Sequence, residues 1–122
     1  MSSPVLEGKS YISLVTYRRD GSRVPTPVWF VLRDGRIYVW TIKTSGKVKR
    51  IRNKPAVAFA PCKMGGEALG PYVDGSATMS EDDSSEGLNR LFRSKYGLLF
   101  VLDRLVTRLG GKKRVFLEIT PS

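Results

Sequence analysis

The chain has 122 residues, of which 21 are Lys or Arg and 11 are Asp or Glu, a formal charge of +10 at neutral pH. That length suits one domain spanning residues 1–122, and the 41% apolar content belongs to a folded chain. There is no histidine and a single cysteine, Cys62; this excludes Ser-His-Asp and Cys-His nucleophiles, histidine-based zinc sites and an internal disulfide.

The opening "MSSPVLEGKS" lacks the charged start and apolar core of a secretory signal, and the longest apolar run, "GLLFVL", is too short to cross a bilayer. With the lone cysteine, these features lead to the expectation of a soluble cytoplasmic protein with no membrane partner. "YISLVTY" (residues 11–17) alternates as a strand, with Ile12, Leu14 and Thr16 on one side. Asp20-Gly21 then supplies a turn. "VPTPVWFVLRDGRIYVWT" predicts two strands about a second turn at Asp34-Gly35, with Val28, Phe30 and Leu32 facing one way and Ile37, Val39 and Thr41 doing likewise on the return. Pro25 and Pro27 place the start of that second strand at a sheet edge or rim.

After Thr41 the period changes. "SGKVKRIRN" reads as a short helix capped by Thr44 or Ser45 and stopped before Pro55, with Val48 and Ile51 as its inner anchors. "AVAFAPC" is a fourth strand, and "PYVDGSATMS" a fifth, with a possible bulge at Asp74-Gly75. The acidic start of "EDDSSEGLNRLFRSKYG" suits a helix N-terminus. Leu88, Leu91, Phe92 and Tyr96 form a helical stripe, and Leu98, Leu102, Leu105, Val106 and Leu109 continue it past Gly97, as one kinked helix or two. Gly110-Gly111 ends the helix, and "RVFLEIT" closes the chain as a sixth strand with Val115, Leu117 and Ile119 on one face. Six strands with such helices predict a mainly β, six-stranded antiparallel barrel.

The stretch "WTIKTSGKVKRIRNKPAVAFAPC" holds six Lys and Arg and no acid. A solvated helix face is one reading. The other is an anion site, because a helix N-terminus with Ser, Thr, Gly and Lys offers free N–H groups, hydroxyls and full charge to a phosphate. Trp29, Tyr38 and Trp40 could stack single-stranded bases, but no helix-turn-helix, zinc-finger or RNA-recognition signature accompanies them, which disfavours nucleic acid. Taken alone, Trp29 and Trp40 read as core or interface residues, Cys62 as a small buried hydrophobe and Asp74-Gly75 as a turn.

In order, "TPVWF", "YVWT", "SGKVKRIRNKP" and "GPYVDGSA" resemble the split-β-barrel flavin and deazaflavin oxidoreductases, the pyridoxamine-5′-phosphate-oxidase-like proteins, over about residues 8–119. The resemblance is greater to the branch using the deazaflavin coenzyme F420. It implies a homodimer with two cofactor sites at the subunit interface. By position, Thr41, Ser45, Lys47 and Lys49 match the family's phosphate-binding segment, with Arg50 and Arg52 beside it. Thr26, Pro27, Val28 and Trp29 match the strand running beside the ring system, and Trp40 is a further cofactor-binding candidate. Tyr72 and Gly75 match a strand near the site, contributed from the second subunit. FMN-using members typically carry an Arg and a Lys within the second strand and an "SRK"-type turn, which here reads "TSGK". Here no base lies between Thr26 and Leu32, so F420, with its phosphodiester and acidic tail, fits better than FMN. The implied activity is hydride transfer from reduced F420 to an organic acceptor; an FMN oxidoreductase or a non-catalytic binding barrel are the alternatives. By residue type alone, Lys43, Tyr38 and Tyr72 are candidate proton donors.

Overall fold

A computed structural model describes residues 6–80 and 86–122, the side chain of residue 80 excepted. The chain folds as β1 (Tyr11–Tyr17), β2 (Arg23–Val28), β3 (Phe30–Arg33), β4 (Arg36–Ile42), α1 (Gly46–Asn53), β5 (Ala56–Cys62), β6 (Val73–Ser80), α2 (Glu86–Tyr96), α3 (Leu98–Leu109) and β7 (Arg114–Pro121). The strands make one antiparallel sheet in the order β2-β1-β5-β6-β7-β4-β3, curled into a split barrel. Asp34 and Gly35 take φ of 54° and 75°, the positive angles that a two-residue hairpin turn between β3 and β4 requires.

There are seven strands where the sequence reading has six. The predicted second strand breaks at Trp29: β2 pairs with β1 at one edge of the sheet, and β3 pairs with β4 at the other. The two edges of the curled sheet are thus consecutive in the chain. The break leaves Phe30 N–H without a strand partner, and the Tyr96 hydroxyl accepts it at 2.9 Å. Trp29 stacks on the same Tyr96 ring, centroids 4.5 Å apart. The alternation itself persists across the break, Val28 and Phe30 facing the inner cluster and Trp29 and Val31 the outer one. Leu32, expected to face the same way as Val28 and Phe30, is nonetheless 41% exposed beside the hairpin turn.

The core has two parts. Inside the curl, Ile12, Leu14, Val28, Phe30, Ile37, Val39, Phe59 and the inner faces of β6 and β7 pack together, and Val48 and Ile51 of α1 close one end. On the outer face of β3, β4 and β7, Val31, Tyr38, Trp40 and Phe116 lie under Leu88 and Phe92 of α2 and Phe100 of α3. β4 and β7 are therefore apolar on both faces, as strands covered on both sides must be. The helix α1 begins at Ser45, whose Oγ accepts from Val48 N–H at 3.4 Å, one of the two caps expected.

Two further expectations change. The β5–β6 register runs through Asp74 and Gly75 without a slip, and β6–β7 pairing starts at Gly75, so there is no bulge. Gly75 serves close approach instead: a Cβ there would stand 2.8 Å from the Thr120 carbonyl oxygen. Gly97, at φ 62°, separates α2 from α3 as two helices and resets the phase between them. As a result the continued stripe turns outward. Leu98, Leu99, Leu102, Leu105, Val106 and Leu109 are all exposed, and it is Phe100 and Thr107 that α3 buries. The acidic segment at 81–85 lies outside the described residues.

Candidate functional site

The break at Trp29 opens a cleft of about 220 Å³, lined by Pro27, Val28, Trp29, Trp40, Thr41, Lys47, Asp103 and Arg114. Each wall has a local cause. Pro27 and Val28 are the last residues of β2, set by pairing with Ser13 and Ile12 of β1. Trp29 is held by its stack on Tyr96. Trp40 rests against Phe100, ring centroids 4.4 Å apart, with the Arg114 guanidinium 4.3 Å from its ring. Arg114 opens β7 opposite Ile42 and pairs with Asp103 of α3 at 2.6 Å. Lys47 projects from the first turn of α1.

The electrostatics suit an anion. Burial, then the neighbouring Arg50 and Arg114 charges, hold the Lys47 ammonium below its usual range. Burial also lowers Arg114, against the pull of Asp103. No acid pairs with Lys47 among the described residues. A bound phosphate would relieve both the desolvation and the repulsion that lower Lys47, so ligand and lysine stabilise each other there. The indoles, Pro27 and Val28 supply an apolar wall beside that charge, the usual make-up of a cofactor pocket.

The structure brings Pro27, Val28, Trp29, Trp40, Thr41 and Lys47 of the sequence-predicted set together on this one cleft. The rest sit elsewhere. Thr26 pairs with Leu14 in the β1–β2 ladder. Ser45 spends its hydroxyl on the α1 cap. Lys49 and Arg50 line a second cavity, of about 430 Å³, with Arg18, Arg19 and Lys54. Arg50 is fixed there by its bond to Thr16 Oγ1 at 2.7 Å. Tyr72 donates to Ser13 Oγ at 2.9 Å, and Gly75 lies within the β6–β7 ladder. Tyr38, a proton-donor candidate by type, donates to Glu118 Oε1 at 3.0 Å.

Sequence reasoning missed Asp103 and Arg114. Asp103 is the one acid in the apolar run "LLFVLDRLVTRL", a signal that it has a partner; that partner, 11 residues on, shows only when β7 folds back beneath α3.

No family model matches the chain, and no curated protein matches it. Solved structures share its fold. The heme storage protein HutZ from Vibrio cholerae superposes with a TM-score of 0.72 at 16% identity, covering 95% of this chain and 84% of that one. A putative pyridoxamine 5′-phosphate oxidase from Listeria innocua gives 0.63 at 18%, covering 96% and 87%. An F420 reductase gives 0.62 at 17%, covering 96% and 90%. At these identities the likeness establishes the split-barrel fold.

Proposed function

We propose that the chain is an F420-dependent reductase, with the cofactor held at the interface of a homodimer. The observation carrying this is the cleft that sets two indoles, Trp29 and Trp40, beside the unpaired ammonium of Lys47. Lys47, the Thr41 hydroxyl and Arg114 would hold the phosphate. Pro27, Val28 and the indoles would flank the ring system and keep water from it. The basic cavity beyond α1, with Arg18, Arg19, Lys49 and Lys54, suits the acidic tail. When bound, reduced F420 supplies the hydride, so the protein's part is positioning and electrostatics. That division agrees with a chain lacking histidine.

Two features support the finer choices. The segment from Thr26 to Leu32 carries no base for an FMN phosphate clamp. The cleft of about 220 Å³ is also smaller than the several hundred Å³ usual for a cofactor pocket, so a second subunit would complete it. Heme, named for the Vibrio cholerae protein, would lack here the histidine that most often ligates its iron.

A fluorescence titration tests the proposal: F420 binds in the micromolar range or tighter, and FMN binds more weakly. Lys47→Ala lowers F420 affinity by roughly tenfold, the worth of one charge-assisted phosphate contact, with an unchanged melting curve. A preference for FMN, or unchanged affinity in the variant, refutes the corresponding part.

A further inference from the structure

Helix α3 presents to solvent a surface that the fold does not use. Leu98, Leu99, Leu102, Leu105, Val106 and Leu109 are between 49% and 78% exposed. At 100° per residue these side chains cover about a third of the helix circumference as one unbroken band. Isolated exposed leucines need no explanation, but a continuous band on one helix marks a surface that is covered in use.

The surroundings of the band select what covers it. Arg104 and Arg108 run along one flank. At the C-terminal end of the helix they meet Lys112, Lys113 and Arg114 around a cavity of about 160 Å³. The one acid of α3, Asp103, is already bound to Arg114 at 2.6 Å. Packing this face on a second copy would bring two like sets of cations together with no free acid on either helix, since a two-fold contact repeats the same surface on both sides. An anionic lipid surface answers both features: its acyl region takes the leucines, and its phosphates take the flanking cations.

We propose that α3 docks the protein on anionic phospholipid membranes, lying in the interface with its leucine band inward and a lipid phosphate at the cavity around Arg108, Lys112 and Lys113. No helix among the described residues is long and apolar enough to cross a membrane, and docking in the interface needs none. The proposal is independent of which cofactor the cleft holds.

Vesicle sedimentation of the full chain tests it. With equimolar phosphatidylglycerol and phosphatidylcholine, partitioning is roughly tenfold or more above that with phosphatidylcholine alone, and it collapses in high salt. The double variant Leu105→Glu/Leu109→Glu loses roughly tenfold or more of this partitioning, and Arg104→Glu/Arg108→Glu loses the preference for the anionic lipid. If the glutamate pair disturbs the circular dichroism spectrum, Leu105→Ser/Leu109→Ser repeats the measurement with a milder change. Absent or equal partitioning on the two vesicles overturns the proposal. So does a Leu105/Leu109 variant that keeps its vesicle binding but dissociates a dimer in sedimentation equilibrium, which assigns the band to a second copy.

Discussion

Replacing Tyr96 by Phe isolates the bonds that hold the strand break. The hydroxyl accepts from Phe30 N–H at 2.9 Å and directs its own proton at the Ser10 carbonyl, 2.8 Å away, with the Phe30 carbonyl at 3.0 Å. The variant keeps the ring, and with it the Trp29 stack, so stacking drops out of the comparison. What is lost is two hydrogen bonds, and a buried backbone N–H is left without a partner; together these cost about 2–3 kcal/mol. For a chain of this size 1 kcal/mol moves the melting temperature by about 4 °C, so the variant melts roughly 8–12 °C lower. Tyr96→Leu loses about 1 kcal/mol more, the contribution of the stack. Burial, aided by Tyr11, pushes the Tyr96 phenol up to about 12 from an ordinary 10. The fold thus favours the neutral phenol, and its contribution is whole below about pH 10 and falls away as pH approaches 12. Wild type therefore loses stability across that window, and Tyr96→Phe loses less. A melting shift under about 2 °C, or parallel pH curves for the two proteins, would refute the argument that this hydroxyl secures the break.

Gly75→Ala places a Cβ 2.8 Å from the Thr120 carbonyl at the end of the β6–β7 ladder, where Gly75 faces Pro121 and is also paired with Val57 of β5. Backbone in a paired strand yields little, so the substitution costs roughly 2 kcal/mol in urea denaturation; a cost below about 0.5 kcal/mol would show that the strands part freely there. Lys95 donates to the Phe30 carbonyl at 2.9 Å and stands 3.5 Å over the Phe30 ring, yet burial lowers it to about 8 from 10.5. Between those values the unfolded chain binds more protons, so stability rises with pH through that window. Lys95→Met flattens this rise, and chemical denaturation at pH 8 and pH 10 measures the difference.

Much of the architecture is legible in the residues. Alternation finds β1, β4, β5 and β7; Asp34-Gly35 marks a hairpin; Ser45 and Pro55 bracket α1. The break at Trp29 is not legible, because "TPVWFVL" is a continuous strand pattern. What divides it is sheet closure and a hydroxyl 66 residues away. Helical periodicity finds the leucines of α3 but is silent on whether a core or a partner covers them, and a single glycine at φ 62° decides the direction they face.

At the cleft, the residues near one another in sequence were found, and the Asp103–Arg114 pair, joined through tertiary folding, was not. The division of the basic segment follows from helix geometry. Lys47 and Lys49, two positions apart, lie on nearly opposite sides of α1, so one faces the cleft and the other the basic cavity.

Strand β7, last in sequence, lies between β6 and β4 and hydrogen-bonds to both. Until it arrives, β2-β1-β5-β6 and β4-β3 are separate ribbons with open edges, joined by chain but by no ladder. Without β7 the strands that precede it form two unfinished ribbons, and the sheet closes only when that strand takes its place between them. Contacts as distant as Ile37 with Ile119 then form in one late step, which makes folding slow for a domain of this size and exposes the unpaired edges to aggregation while it waits.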